Sequence, residues 1–222
     1  MLRILSLITL SAVLLEGSLE AALPDKDIDG TLFLINRTHA VSEFYSPTVR
    51  KVVGPGMSQS MRLDAAQAME DMIAGAKADG ITLSIVSGYR SYSKQSTIYA
   101  RKVRNTGSTT KADELVARPG TSEHQLGLAM DLAKKGNSTL SEAFAKTTEG
   151  QWVYANCYKY GFIVRYLQGY EDVTGYNYEP WHVRYVGKDV AQAIYDSQLP
   201  METFMSTYKL DVYDFLIYQA ND

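Results

Sequence analysis

Apolar residues recur along this chain with two periods, and the switches between them outline its elements. Ala65, Met69, Met72, Ile73 and Ala76 return at helical spacing. They predict a helix capped by Ser58 or Ser60 and closed by Gly80, a residue suited to left-handed backbone. Directly after it, Ile81, Leu83 and Ile85 alternate with Thr82 and Ser84, the period-two pattern of a half-buried strand ending at Ser87. Ser93 starts a second helix through about Val103, and Asn105–Ala117 reads as a polar loop with a helical turn. Gly127–Ala133 predicts a short apolar strand, and Glu149–Tyr160 a helix closed by Gly161. Phe162–Tyr166 and Trp181–Val186 predict two more strands, separated by a turn-rich excursion over Gln168–Tyr178, and Lys188–Gln198 and Met201–Tyr208 two last helices. Ahead of all this, Leu23–Gly56 is broken by prolines and glycines and reads as an extended wrapping segment with a strand at Thr31–Ile35. Strands and helices interleave without a regular βαβ rhythm, so the fold expected is α+β, a single domain with a mainly antiparallel sheet and flanking helices.

The first residues follow a different logic. Arg3 precedes an apolar run from Ile4 to Leu15 that Glu16 ends. A bilayer span takes about 20 apolar residues, so no stable membrane span is expected. The run fits the apolar region of a secretory signal, about 7–15 residues long. Residues 1–22 are therefore expected to be a signal peptide, 23–208 the functional domain and 209–222 a carboxy-terminal tail. Export to a bacterial periplasm or cell envelope follows from that reading. The charge balance, 22 Lys+Arg against 25 Asp+Glu for a net −3, lacks the basic excess that nucleic acid binding requires, and no nucleic acid partner is expected. A lone cysteine excludes an internal disulfide framework and a thiolate zinc knuckle. A monomer is expected.

Chemistry concentrates in two segments. The chain has three histidines, His39, His124 and His182. Asp131 interrupts the apolar strand that follows His124, where an ionised carboxylate is costly unless it is paired or binds a cation. Strand alternation puts Ala129 and Asp131 on one face, leaving room for an ion or a substrate to approach. In the second segment Glu179 and Pro180 precede His182, which shares a strand face with Arg184, while Trp181 and Tyr185 point the other way and read as core. Two imidazoles, one ligating carboxylate and one free carboxylate are the minimum set for metal-assisted hydrolysis. Three protein ligands leave a position for a water whose pKa zinc lowers to about 7, and a free Glu takes its proton. His124, Asp131 and His182 are the candidate ligands and Glu179 the candidate base. Taken alone, the pattern is balanced evenly between such a site and satisfied core residues.

The ordered set of motifs tips that balance. Ser87-Gly88-Tyr89-Arg90-Ser91 with Gln95 and Tyr99, Ser122-x-His124-x-x-Gly127-x-Ala129-x-Asp131, Tyr160-Gly161-Phe162, Thr174-Gly175-Tyr176, and Glu179-Pro180-Trp181-His182-x-Arg184-Tyr185-Val186-Gly187 occur in that order. Together they resemble the zinc D,D-carboxypeptidases associated with vancomycin resistance and their L,D-carboxypeptidase relatives, from about Leu32 to Tyr208. The resemblance implies a hedgehog/D,D-peptidase-like fold. It implies an enzyme that removes the terminal residue from peptidoglycan stem peptides, with Zn2+ as cofactor and the stem peptide as partner. Carried over by motif, His124, Asp131 and His182 bind the zinc and Glu179 is the base. Arg90 stabilises the oxyanion, and Gln95 and Ser122 fall where relatives contact the peptide. The stretch Tyr166–Tyr170 lacks the Pro and Lys of many relatives, which bears on substrate preference.

Other chemistries fit less well. A Ser122/His124/Asp131 triad has nucleophile and base only two residues apart and no nucleophile elbow. Cys157 reads as a small buried residue in the middle of a helix. Arg184 competes with Arg90 as oxyanion donor, or else is an ion pair steadying a neighbouring acid. A zinc-containing wall-binding module without catalysis would not need Glu179. An endopeptidase of the same motif set stays open.

Overall fold

In the computed structural model, residues 30–207 are described. The expected signal segment at 1–22 and tail at 209–222 lie outside them. The period-two segments form a four-stranded antiparallel sheet in the order β3-β4-β6-β5, built from β3 (Leu83–Ser87), β4 (Ala129–Lys134), β5 (Phe162–Tyr166) and β6 (Glu179–Tyr185). A separate hairpin pairs β1 (Val49–Lys51) with β2 (Ser60–Arg62). The helices are α1 (Leu63–Ala78), α2 (Tyr92–Thr106), α3 (Thr109–Leu115), α4 (Thr148–Asn156), α5 (Glu171–Thr174) and α6 (Lys188–Ser197), followed by helical residues 201–207. Among the described residues no helix is long and apolar enough to cross a membrane.

The alternation in β4 sets the two faces of the sheet. Leu128, Met130 and Leu132 enter one core with Met61, Met69, Met72 and Ile85, beneath α1. Met61, Met69 and Met72 are fully buried, and burial of such a side chain stabilises by about 1.5–3 kcal/mol relative to exposure. Asp131, between two core residues, points to the opposite face. A second cluster gathers Leu32, Ile163, Val186, Val190 and Ile194 with Met201 and Phe204.

Several boundaries differ from the sequence reading for identifiable reasons. Thr31–Ile35 is no strand, because the Thr31 and Phe33 carbonyls accept from the Arg184 guanidinium at 2.8 and 2.9 Å. Ser60 lies in β2, where its carbonyl accepts from the Tyr89 N–H at 2.7 Å, and α1 starts after Arg62 without a side-chain cap. The polar stretch after α2 contains a full helix, α3, capped by the Ser108 hydroxyl, which accepts from the Lys111 N–H at 3.3 Å. The helix expected through Tyr160 changes to a 3-10 turn, Cys157–Tyr160, before Gly161 turns left-handed at φ 86°. Cys157 therefore sits at that junction, buried, and burial pushes its thiol up to about 12.

Candidate active site

Strand register assembles the centre of the site. Asp131 of β4 lies opposite His182 of β6, and the end of β3 reaches Asp131 through a bulge that pairs it with Ser87. Directly opposed residues in an antiparallel pair hold their Cβ atoms about 4.5–5.5 Å apart. Asp131 and His182 are thus neighbours by backbone geometry alone, although 51 positions apart in the chain. His124 comes from a 3-10 turn, Glu123–Leu126, that Gly127 closes at φ 71° before β4 begins. Each of His124, Asp131 and His182 offers one ligand atom, and these atoms lie within 4.8 Å of one another.

The ring nitrogens directed away from this cluster are both engaged. His124 Nδ1 donates to the Gly88 carbonyl at 2.8 Å, which turns Nε2 toward Asp131 at 3.4 Å. Gly88 has no room for a larger residue, since a Cβ there would stand 2.5 Å from the Ser60 carbonyl. His182 Nε2 donates to Glu123 at 3.2 Å, leaving Nδ1 3.0 Å from Asp131. Ring nitrogens held this way are the usual support behind metal-ligating histidines. Two imidazole nitrogens and a carboxylate are a donor set that could hold a divalent metal ion with a position to spare.

Charge is distributed unevenly. Burial alone would raise Asp131, but His124 and His182 outweigh it and hold its carboxyl far below the usual range. Burial alone would lower His182, yet its hydrogen bonds to Asp131 and Glu123 bring it up to about 9. Glu179 behaves oppositely: burial pushes it up to about 7, even with the His182 ring 3.8 Å away.

Around this cluster lies a cavity of about 720 Å³, whose walls include Arg90, Ser122, His124, Asp131, Glu179 and His182. Arg90 follows the end of β3. Its Nη1 donates to Gln95 at 2.7 Å and its Nη2 to the Ser87 hydroxyl at 3.0 Å, with Asp131 4.0 Å away. Gln95 departs from the sequence expectation of direct peptide contact. It is completely buried, its Oε1 accepts from Arg90, its Nε2 donates to the Ala117 carbonyl at 2.6 Å, and it does not line the cavity. It reaches the cavity only through Arg90. Trp181, expected in the core, packs against it and also forms part of the cavity wall.

Arg184 takes the ion-pair role. Its Nη1 donates to Glu123 at 2.8 Å, and Arg165 Nε donates to the same carboxylate oxygen at 2.7 Å. Arg165 also forks onto Glu202 at 2.6 and 2.8 Å. Burial would raise Glu123, but Arg165 and Arg184 keep it well below the usual carboxylate range. No motif in the sequence singles out Glu123, Arg165 or Glu202. The available signal was weak: an acid directly before His124 and an arginine inside the apolar strand β5.

This architecture, a four-stranded antiparallel sheet and a hairpin flanked by helices around a cleft, is shared with solved carboxypeptidases. The model of the D-alanyl-D-alanine carboxypeptidase family, VanY, matches residues 58–188, and the chain belongs to that family. The Bacillus subtilis (strain 168) protein YodJ is 44% identical over 191 residues, covering 82% of this chain and 69% of YodJ. The solved structure of the LdcB LD-carboxypeptidase, which reveals the molecular basis of peptidoglycan recognition, aligns with a TM-score of 0.77 at 42% identity, over 82% of this chain and 88% of that one. A mutant of the vancomycin resistance D,D-pentapeptidase VanY from a VanB-type cassette, in complex with Zn(II), aligns with a TM-score of 0.68 at 32% identity, over 79% of this chain and 98% of that one.

Proposed function

We propose that this protein is a zinc-dependent carboxypeptidase that removes the carboxy-terminal D-alanine from peptidoglycan stem peptides outside the cytoplasm. One observation carries the reading: the ligand atoms of His124, Asp131 and His182 converge within 4.8 Å in a cavity that also exposes Glu179. The Zn(II) complex of the VanY relative supports the choice of metal. Bound by these three residues, zinc supplies Lewis acidity, polarising a carbonyl and acidifying water.

The chain's own residues do the rest. Glu179, raised to about 7 by burial, is a carboxylate basic enough to take a proton from water and acidic enough to pass it to the departing amine. Arg90 is braced by Gln95 and Ser87 and presents a fixed cation to the charge that develops on the scissile carbonyl oxygen. One preorganised donor of this kind typically contributes about 3–4 kcal/mol. Gln95 is a positioning residue for Arg90, and the buried Ser122 lines the cavity as a substrate contact. The apolar run ahead of Glu16 supports residues 1–22 as an export signal, 23–208 as the catalytic unit and 209–222 as a tail.

The test is incubation of purified, zinc-loaded protein with defined tetrapeptide and pentapeptide stems. Released D-alanine is the expected product, and its source fixes L,D or D,D preference. Cleavage inside the stem, or no cleavage of either peptide, overturns the reading.

A further inference from the structure

The cavity extends well beyond what one terminal residue fills, and part of its wall is a face of α2. That helix carries Lys94, Arg101, Lys102 and Arg104 and no acidic residue, in a chain of net charge −3. Gln95, Ile98 and Lys102 recur at spacings of three and four and so share one face, with Arg101 at its edge. Ile98, Arg101 and Lys102 line the cavity, while Gln95, at the other end of the row, holds Arg90. The helix dipole accounts for Arg104 in the last turn. Arg101 and Lys102 differ in facing the cavity, and neither forms an ion pair with any described carboxylate, Glu114 and Glu142 of the same cavity included. Arg118, by contrast, is already neutralised by Asp113 at 2.6 Å.

Seven residues of helix separate Gln95 from Lys102, about 10 Å at a rise of about 1.5 Å each. An extended peptide advances about 3.4 Å per residue. The cations therefore sit about three residues from the point where Arg90 acts. A carboxypeptidase substrate has a single residue beyond the scissile bond, so this length of cavity takes the upstream chain.

We propose that Arg101 and Lys102 form a subsite for a carboxylate that the substrate carries two or three residues upstream of the scissile bond. In a stem peptide this is the free α-carboxylate of a γ-linked D-glutamyl residue, and the subsite rests on the carboxypeptidase reading above. The test uses two synthetic stem peptides that differ only in whether that carboxyl is free or a primary amide, and compares kcat/KM for each at low salt. The wild type is expected to prefer the free acid by roughly three- to tenfold, the range of one or two partly exposed ion pairs. The preference should shrink as salt is raised. In Arg101→Gln/Lys102→Gln the ratio is expected to fall to about one, and Arg101→Glu/Lys102→Glu should invert it. The ratio is internal to each variant, so loss of folded protein does not disturb it. Equal rates on both peptides in the wild type, or an unchanged ratio in the double variant, overturn the subsite alone. No release from either peptide overturns the carboxypeptidase reading and the subsite together.

Discussion

Two sets of buried charge lie back to back in this molecule and share one imidazole. Behind His182, Glu123 accepts from Arg165, Arg184 and the ring, and Arg165 is forked onto Glu202. Every guanidinium nitrogen of Arg165 and Arg184 has a partner, the last being the Thr31, Phe33 and Tyr185 carbonyls. In front of His182, His124 and Asp131 turn their lone pairs toward a common point, and Glu179 stands 3.8 Å from the ring at the edge of a cavity. Both sets are buried and both are charged. What separates them is position: the rear set is closed off within the protein and fixes geometry, whereas the front set lines a cavity.

The sharpest break of that contrast is His182→Ala, which belongs to both sets. Zinc and peptidase activity are expected to disappear together, and full zinc occupancy by metal analysis would remove His182 from the ligand set. Glu179→Gln touches the front set alone. Turnover should fall about 10²–10⁴-fold, the usual worth of a general base, while zinc content and melting temperature stay at wild-type values. Unchanged turnover would cancel the base role.

Glu123→Gln acts from behind. It leaves Arg165 and Arg184 buried with one carboxylate fewer, a loss of about 3–5 kcal/mol for a broken buried pair, readable from the denaturant midpoint. It also loosens the support of the His182 ring, so zinc affinity should drop about 10–100-fold. A variant as stable as wild type would mean that the rear set holds nothing.

The smallest effect is on pH dependence. Without metal, His182 binds its proton more tightly folded than unfolded. Its contribution to stability is therefore complete below its ordinary value of about 6.5 and is lost as pH rises through about 9. Glu179, raised to about 7, works in the same direction. Metal-stripped protein should lose a few degrees of Tm across this range and zinc-saturated protein should not. An equal slope in both would show that the front set is not where the metal sits.

Much of the front set was legible in the sequence because strands carry chemistry at fixed intervals. Asp131 stood out as a charge in an apolar strand, and its alternation with Met130 and Leu132 already gave the face it occupies. Phe162–Tyr166 coincides with β5 because a mainly apolar, β-favouring run between Gly161 and the next turn allows little else. The rear set was illegible for the complementary reason. Glu123, Arg165, Arg184 and Glu202 come from four elements, and nothing local says that two arginines meet one acid. Arg184 stands out in its motif, but its partner does not. Thr31–Ile35 failed as a strand because its backbone is satisfied by a side chain distant in sequence, a tertiary effect that periodicity does not register. The motif position of Gln95 suggests a substrate contact; in the structure it accepts from Arg90 instead.

The Glu123 carboxylate also ties together parts of the chain that the family match leaves out. Through Arg184 it is linked to the carbonyls of Thr31 and Phe33, and through Arg165 to Glu202, all outside residues 58–188. Trimming the protein to its matched segment would keep His124, Asp131, His182 and Glu179. It would nevertheless take Glu202 from Arg165 and the Thr31 and Phe33 carbonyls from Arg184, leaving Glu123 as the one carboxylate these two buried guanidiniums share behind His182. The two flanks are thus not ornament but guy-ropes for the strand that carries His182.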